Sequence, residues 1–575
     1  MSNLPEGTSY QKGKLHFAGR SVAALAEQFD TPLYVYSEET LEKSLSRFPL
    51  TRPGVTVCYT VKANNNLELL SKLNKIGASF DVASLEELRR VVTATQTNEV
   101  LKKCVATGPV KSVQFLKACL AHDVFSIHAE SEAELARISS LRESFSSSRT
   151  RVALRVNPDV IDETGYHHLM TTSSCSKFGV SPQEVLHLAD KYSIQGLHYH
   201  IGSRVLNEQV LYRARDVILR LLGQLEQRAE SKSRIEYVDI GGSLGVSHGD
   251  GQVPFDIPRV LDTIITPFVN RGLNVYLEPG RSIVAQSAVL LTRVEYTNSS
   301  GGRHFALVDA TMTDFIRPAV YGGYHRIVAE CEPPSVSPSA LVGQLTTACA
   351  SSVIHSNGQA TYLCHWGASH DVASKTASID RRKADGLRQA SGSPGEERRP
   401  VPSPRSTRRL ITTNRDESNN NSSIITNKSD SKVDSIPSDL RGSRESLDGL
   451  LSEMQGSRLF KKQQTPSVPP MPSPRVNRRT SGEAGTLPYD VVGPVCECAD
   501  FLGLQCVLPV LHEGDLLAVA DVGAYGYSMA SNYNSRCRPA QVMVLRNGDV
   551  KLLSRREMLE DQLMLERNLQ SFEMT

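Results

Sequence analysis

Short apolar runs alternate with segments of helical spacing from about Thr31 to Val284. In VCYTVKA, residues 57–63, apolar and polar residues alternate as in a strand, and the helical pattern of NLELLSKLNKIG follows it. The segment SFDVASLEELRRV repeats the strand and the helix, with Ser84 and Glu87 predicted to form a capping box. Roughly eight such units in about 250 residues favour a closed (β/α)8 barrel of the TIM type, and an open doubly wound sheet is the alternative.

The pattern changes after residue 287, where strands with little helix predict a separate β domain, either a sandwich or a barrel. Residues 334–486 are rich in Ser, Arg, Pro and Asn and have almost no periodic apolar pattern, so we predict a disordered insert. The predicted domains are an N-terminal segment of the β domain (1–37), the barrel (38–287), the β domain (288–333 and 487–575) and the insert (334–486).

Bulk composition excludes several classes of protein. The net charge of +2 gives no strong case for nucleic acid or an anionic membrane as partner, and eleven cysteines without a CxxC pair indicate reduced thiols, not a disulfide scaffold. No apolar run approaches the roughly eighteen residues that a membrane span needs. The N-terminal residues lack an apolar signal core and a clear transit peptide, so we expect a cytoplasmic protein, or a plastid one in an alga or plant.

Four strands of the predicted barrel end in residues that can bind a ligand or take part in a reaction. The carboxyl ends of barrel strands meet at one face, so these side chains should lie together. Each alone has an ordinary explanation, such as a solvated lysine or a surface ion pair. The four strand-end groups are Lys62, the pair His198 and His200 in HYHIGS, the glycines of DIGGSLGV, and Glu278 with Arg281 in YLEPGRS.

The combination of these groups points to a cofactor. Two histidines could bind zinc, but no nearby carboxylate or cysteine completes a ligand shell, so we predict no metal. The glycine-rich turn fits neither GxGxxG before a helix nor GxxxxGK[ST], which weighs against a dinucleotide site or a P-loop. Pyridoxal phosphate uses a lysine for the Schiff base, a flat ring, a phosphate cradle and a partner for its ring nitrogen. We therefore predict pyridoxal 5′-phosphate as the cofactor.

Longer motifs extend this interpretation to a family. YTVKANNN, SKFGV, LHYHIGS, DIGGSLG, EPGRS, MTDFIRPAVYGGYH, GPVCECADFL and GAYGYSMASNYNSR together resemble the pyridoxal-phosphate-dependent decarboxylases of the alanine-racemase-like barrel fold, and most closely the branch acting on diaminopimelate. The resemblance runs from about residue 15 to 333 and resumes near residue 487. It implies decarboxylation of meso-2,6-diaminopimelate to L-lysine and CO2, the last step of lysine biosynthesis, by a homodimer with active sites at its interface. The alternative is a decarboxylase of ornithine, lysine or arginine.

The resemblance also implies a role for individual residues. Lys62 corresponds to the Schiff-base lysine, His200 to the histidine stacked on the cofactor ring, and Glu278 to the partner of the pyridine nitrogen. Cys496 corresponds to a catalytic cysteine that enters from the other subunit and protonates the product. His198 has no ligand role in the family. Cofactor contacts are also implied for Ser203, Gly242 and Tyr525, and substrate contacts for Arg281, Arg317, Tyr321, Glu497 and Tyr525.

Charge supports the substrate group independently of the resemblance. Diaminopimelate carries a second amino-acid head, so an arginine fork can bind its distal carboxylate and Glu497 its ammonium. Arg281 and Arg317 would have no such partner on ornithine or lysine.

The sequence departs from the family pattern around Cys496. Cys498 and Ala499 stand where the family usually has Ser-Gly, and Cys537 stands where proline is usual. We expect backbone strain at Ala499 if that position needs positive φ, and easier oxidation from the second thiol. A non-catalytic homologue, and an interaction protein that uses the basic insert, are the rival functions. The insert itself is either a neutral expansion, an artefact of the gene model or a regulatory arm.

Overall fold

The computed structural model describes residues 4–160, 176–228, 232–248, 254–333 and 485–567. The disorder predicted for the insert falls almost entirely on residues 334–484, which lie outside these ranges.

The described strands and helices alternate through the first half of the chain, as the apolar pattern predicts. The strands are β1 (Thr8–Gln11), β2 (Lys14–Phe17), β3 (Arg20–Ser21), β4 (Leu33–Ser37), β5 (Val55–Thr60), β6 (Ser79–Val82), β7 (Val105–Ala106), β8 (Ser126–Ala129), β9 (Arg151–Arg155), β10 (Gly196–His198), β11 (Tyr237–Asp239), β12 (Asn274–Leu277), β13 (Ala288–Ser300), β14 (Arg303–Val308), β15 (Ile327–Ala329), β16 (Thr486–Val492), β17 (Phe501–Pro509), β18 (Leu516–Ala520), β19 (Ala540–Val544) and β20 (Val550–Ser554). The helices are α1 (Val22–Phe29), α2 (Glu38–Ser46), α3 (Leu67–Lys75), α4 (Leu85–Thr95), α5 (Val113–Ala121), α6 (Glu132–Ser144), α7 (Pro182–Lys191), α8 (Glu208–Glu226), α9 (Ile257–Val269), α10 (Arg281–Val284), α11 (Arg317–Tyr321) and α12 (Leu559–Arg567).

Strands β5 to β12 form a closed barrel in which every neighbouring pair is parallel. Strand β12 pairs with β5, with Val275 opposite Val55 and Leu277 opposite Val57, and this pairing closes the ring. The closed barrel is confirmed, and the open doubly wound sheet is excluded. All eight strands therefore present their carboxyl ends at one face.

Side-chain caps start the barrel helices where polar residues precede apolar repeats. The Ser84 hydroxyl accepts the Glu87 backbone N–H at 3.1 Å. The Glu87 carboxylate accepts the Ala83 N–H at 2.7 Å, so the returning half of the predicted capping box reaches one residue further back. Both contacts satisfy N–H groups at the helix start, where no carbonyl of the same helix can do so.

The second half of the chain builds a nine-stranded sheet in the order β17, β16, β14, β13, β4, β19 and β20, with β18 also paired to β13 and β15 to β18. Strand β4 comes from the N-terminal segment and lies between β13 and β19. This sheet belongs to the C-terminal domain of the predicted architecture. Within the described part of the chain, no helix is both long and apolar enough to cross a membrane.

The loop after β18 ties this sheet to the barrel. The Tyr525 N–H and the Ser528 hydroxyl both donate to the Ala63 carbonyl, at 2.8 and 3.2 Å. The buried Asn64 amide donates to the Gly523 carbonyl at 3.1 Å and to the Tyr36 hydroxyl at 2.9 Å. The turn that follows β5 is thus fixed between two domains.

Candidate active site

Lys62 lies in this turn, directly after β5, and its amine is 3.3 Å from the Asp81 carboxylate. The Lys62 side chain keeps 45% of its surface exposed toward a cavity, whereas Asp81 is 1% exposed. Asp81 also accepts hydrogen bonds from the Thr60 and Thr107 hydroxyls, at 2.9 and 2.6 Å. The amine therefore reaches open space while its counter-ion is anchored inside the barrel.

The electrostatics of this pair favour a charged lysine when nothing else is bound. Burial alone would lower the Lys62 pKa, but the charge of Asp81, with smaller effects of Tyr525 and Glu278, raises it above its ordinary value. Asp81 was not among the residues predicted from the sequence. It could have been predicted, because it is a polar residue near the end of a buried strand next to β5.

The glycine-rich turn after β11 packs so closely that it excludes side chains. Gly241 has φ of +67°, and a Cβ on Gly242 would lie 2.2 Å from the Glu278 carbonyl oxygen. The Gly242 N–H donates to Nδ1 of His200 at 3.1 Å. Because Nδ1 accepts, the His200 ring carries its proton on Nε2, and burial lowers its pKa well below the usual range. His200 is thus a neutral, flat ring above the turn.

Glu278 follows β12 and is enclosed by two imidazoles. One carboxylate oxygen lies 3.3 Å from His198 Nε2 and the other 3.6 Å from His128 Nδ1, and the two rings are 4.7 Å apart. Burial alone would raise the pKa of Glu278, but these histidines hold it well below its ordinary range. Burial and the neighbouring Glu278 raise the pKa of Asp239 well above its ordinary range. Burial thus favours the protonated form of Asp239, whereas the two histidines favour the ionised form of Glu278.

His128, His198 and Glu278 also have the chemistry of a metal site. Their ligand atoms lie within 4.8 Å of one another and all three are buried, which makes them the candidate metal group among the described residues. The sequence-based prediction of no metal assumed that no carboxylate lies near His198, whereas Glu278 is 3.3 Å from it, and His128 was not predicted at all. Burial lowers the pKa of His128 to about 4, so its ring is neutral and can interact with the Glu278 carboxylate only by donating an N–H.

Seven of the predicted residues line one cavity at the carboxyl ends of the barrel strands. They are Lys62, His200, Ser203, Gly242, Glu278, Arg281 and Tyr525, and the lining is completed by Thr60, Ser243, Leu244, Gly280 and Ser282. A larger cleft of about 400 Å³ lies elsewhere, beside Cys537 and Arg536, and holds none of the strand-end groups. Chemistry, not size, identifies the smaller cavity as the candidate site.

Two buried arginines were predicted to bind the substrate, and of these only Arg281 lines the cavity. Arg281 donates to the Ser203 carbonyl at 2.9 Å, and its guanidinium lies 4.8 Å from the centre of the Tyr525 ring. Burial lowers the pKa of Arg281 to about 10. Arg317, which begins α11, has its pKa lowered to about 9 by burial and by the charges of Arg281 and Arg204. Tyr321 ends the same helix and does not line the cavity.

Cys496 and Glu497 lie outside this cavity on an exposed loop. Asp500 shapes the loop by accepting the N–H groups of Val495 and Met312, both at 2.7 Å. Glu497 accepts the Tyr533 hydroxyl at 2.7 Å. One chain alone therefore does not bring Cys496 and Glu497 to Lys62.

The substitutions around this loop are accommodated without backbone strain. Ala499 is absent from the described non-glycine residues with positive φ, so the condition for the expected strain is not met. Cys498 is exposed beside Cys496, and Cys537 is partly buried, with the Gln562 amide 3.5 Å from its sulfur.

Comparison with known proteins gives consistent matches along the chain. Residues 38–285 match the pyridoxal binding domain of pyridoxal-dependent decarboxylases, and residues 457–523 match their C-terminal sheet domain. The diaminopimelate decarboxylase of Pseudomonas aeruginosa is 35% identical over 544 residues, covering 93% of each chain. That of Haemophilus influenzae is 29% identical over 568 residues, covering 97% of this chain and 98% of its own.

Solved structures agree on the fold. Helicobacter pylori diaminopimelate decarboxylase, solved in complex with L-lysine, superposes with a TM-score of 0.63 at 23% identity, covering 95% of this chain and 99% of its own. The diaminopimelate decarboxylase of M. jannaschii, also in complex with L-lysine, gives a TM-score of 0.65 at 22% identity and 98% coverage of both chains.

Proposed function

Because the chain belongs to the pyridoxal-dependent decarboxylases, in the branch of the diaminopimelate decarboxylases, we propose that it converts meso-2,6-diaminopimelate to L-lysine and CO2. The observation that carries this proposal is the single cavity lined by Lys62, Glu278 and Arg281. A covalent anchor, a carboxylate for a ring nitrogen and a cation for a substrate carboxylate are what this reaction requires.

The residues present fit pyridoxal phosphate. The Lys62 amine is reachable from the cavity, one Glu278 oxygen has no hydrogen-bond partner among the described residues, and the glycine turn leaves room where any Cβ would clash. Lys62 would hold the cofactor covalently, His200 would lie against its ring and Glu278 would face its nitrogen. Gly242, Ser203 and Tyr525 would contact its phosphate. When bound, the cofactor supplies an electron sink for the bond to the departing carboxylate.

The chain's own groups supply charge control and positioning. The carboxylate state of Glu278, maintained by His198 and His128, stabilises a proton on the ring nitrogen it faces. Asp81 lies beside the Lys62 amine and would stabilise it as an ammonium ion whenever the amine is not covalently bound. Arg281 and Arg317 bind the distal carboxylate of the substrate, and Tyr321 lies at the end of the same short helix as Arg317.

The remaining groups are proposed to come from a second copy of the chain. Cys496 donates a proton from its sulfur to the carbon that has lost CO2, and Glu497 accepts from the distal ammonium of the substrate. Their exposure on a loop outside the cavity supports a two-fold homodimer in which each loop completes the partner's site.

The direct test is decarboxylation by the purified full chain with meso-diaminopimelate, L-lysine, L-ornithine or L-arginine as substrate. We expect kcat/KM for diaminopimelate to exceed the others by about two orders of magnitude or more, because only it places a carboxylate against buried guanidinium groups. Lys62→Ala should lose both the activity and the absorbance of covalently bound cofactor, whereas Lys75→Ala, on an exposed helix end, should retain both. Comparable rates on ornithine or lysine would instead favour the alternative basic amino-acid decarboxylase, and turnover by Lys62→Ala would contradict the assignment of Lys62.

A further inference from the structure

A buried histidine lies behind Arg317. Arg317 is 3% exposed, and its Nε–H donates to Nε2 of His325 at 3.3 Å. His325 is 2% exposed, and its Nδ1 lies 3.0 Å from the Ala520 carbonyl oxygen. A carbonyl can only accept, so Nδ1 carries the ring proton and Nε2 is free to accept from Arg317. The backbone of β18 thus selects the tautomer that can hold the arginine.

The His325 ring is held from two further sides. Phe315 packs edge-on against it, with ring centres 4.6 Å apart. His248 lies 4.8 Å away on another side, and its Nδ1 is 3.1 Å from the Asp521 carboxylate. Rotation of His325 would break the bond to Ala520 and these contacts together, so the position of Arg317 Nε is set by a rigid group.

This arrangement leaves one edge of the Arg317 guanidinium for a ligand. His325 occupies Nε, and Nη2 has no hydrogen-bond partner among the described residues. Arg317 does not line the cavity itself, but the charges of Arg281 and Tyr525, which do, act on its guanidinium. A buried, incompletely paired cation is costly, and a carboxylate bound through the two terminal nitrogens would satisfy it.

We propose that His325 is a positioning residue for substrate specificity, which holds Arg317 by Nε so that its terminal nitrogens meet the distal carboxylate. This inference rests on the proposed function. It adds a residue that touches neither the substrate nor the cofactor and acts through Arg317 alone.

The test compares two ligands of the cofactor-loaded enzyme that differ in that carboxylate. L-Lysine keeps the carboxylate that is distal in diaminopimelate, and cadaverine lacks it. For His325→Phe, which keeps a ring and loses the acceptor, we expect L-lysine to bind about tenfold more weakly and KM for diaminopimelate to rise by a similar factor. The inhibition constant of cadaverine should stay within about threefold, since cadaverine makes no contact with Arg317. His325→Gln offers an amide oxygen to Arg317 and should restore much of the L-lysine affinity.

A double-mutant cycle distinguishes positioning from general damage. In an Arg317→Ala background, His325→Phe should cause no further loss of L-lysine affinity, because its effect passes through the missing arginine. Phe315→Leu is the matched control: it trims the packing on the same ring but keeps both hydrogen bonds of His325, so it should lower the Tm without changing the ratio of L-lysine to cadaverine affinity.

Three results would overturn the inference. They are an equal loss of both ligands in His325→Phe, additive losses in the cycle, and a His325→Gln variant that folds and binds cofactor but binds L-lysine no better than His325→Phe. If His325→Phe does not fold, the ratio of L-lysine affinity to cadaverine affinity in His325→Gln serves as the test. A tenfold fall in that ratio would count against the proposal. If the wild-type chain neither turns over diaminopimelate nor binds L-lysine, the proposed function itself is refuted. The role proposed for His325 is then refuted as well.

Discussion

Burial changes the protonation of single side chains in both domains. Burial favours the protonated form of Asp239 beside Glu278, and His128 stays neutral at a pH where a solvated histidine begins to titrate. Asp314 in the β domain is another buried group whose pKa is shifted. It is buried, its carboxylate accepts the Thr311 N–H at 3.0 Å, and burial raises its pKa to about 7. Such a group makes stability depend on pH.

Asp314→Asn should stabilise the protein at pH 8 and have little effect near pH 4. The unfolded Asp314 ionises near its ordinary pKa of about 4, whereas the folded one holds its proton until about pH 7. Between these values the unfolded state binds fewer protons, so wild-type stability falls as pH rises, by at most about 1.4 kcal/mol per pH unit from this group. Asparagine cannot ionise and still offers an oxygen to Thr311.

The measurement is the Tm of both proteins from pH 4 to pH 8. Other groups titrate equally in both, so the difference in Tm isolates Asp314. The advantage of the variant should grow up to about pH 7 and then level off. Parallel Tm curves would show that Asp314 is already ionised in the folded chain.

Some of the site residues could be predicted from the sequence and others could not. Lys62, His200 and Glu278 were predictable because each follows an apolar strand, and parallel strands end at one face. Asp81 and His128 carry the same local signal, yet their role depends on which charge lies opposite. The role of His325 could not be predicted, because its partners Arg317 and Ala520 are distant in sequence and meet only in the folded chain.

At the scale of elements, the turn after β5 joins the barrel to the sheet. Asn64 donates to Tyr36 and Gly523, and its side-chain oxygen accepts the Asn66 N–H at 3.1 Å. The asparagines after Lys62 lie where the helix predicted from NLELLSKLNKIG begins, and no separate role was predicted for Asn64. Asn66 does cap α3, but Asn64 is a link between domains, because Gly523 lies more than 450 residues away. No pattern of neighbouring residues contains that contact.

Asn64→Ala should lower the Tm by several degrees and weaken cofactor binding. The change leaves the buried Gly523 carbonyl and the Tyr36 hydroxyl without this donor, and each unsatisfied buried group costs about 1–3 kcal/mol. The turn carrying Lys62 also loses one of its attachments to the Tyr525 loop. Thermal unfolding and a cofactor titration followed by absorbance measure the two effects.

Asn65→Ala is the control for this prediction, since the Asn65 side chain takes part in none of these hydrogen bonds. It should stay within about 0.5 kcal/mol of wild type. Equal losses in the two variants would mean that the segment tolerates no truncation anywhere, and the specific link through Asn64 would be refuted.

At the scale of the whole molecule, one chain brings together only some of the proposed catalytic groups. Lys62 and Glu278 line the cavity, whereas Cys496 and Glu497 lie outside it on the exposed loop. Architecture was predictable at this scale, because repeated strand and helix patterns specify a barrel. The position of the loop relative to a second copy was not, since it depends on a surface that no single-chain pattern describes.

Two inactive variants should restore activity when combined. Lys62→Ala and Cys496→Ala each disable every site of their own homodimers, but a mixed dimer contains one site with both residues intact. Random exchange of subunits gives half mixed dimers, so we expect about a quarter of wild-type activity. The measurement is kcat after the two proteins are unfolded and refolded together, with each variant refolded alone as control. No recovery, with mixed dimers demonstrated by mass, would place Cys496 in its own chain's site.

The central position of β4 has a consequence for the order in which the chain is made. Residues 33–37 leave the ribosome early, yet β13 lies about 250 residues later and β19 about 500 residues later. At typical rates of synthesis, about 25 to 100 s separate β4 from β19. The barrel strands are all translated within that interval. The barrel can therefore close while β4, a strand of the second domain, still has no partner strand on either edge. A chaperone that shields open strand edges would therefore act on the beginning of this chain, not on its end.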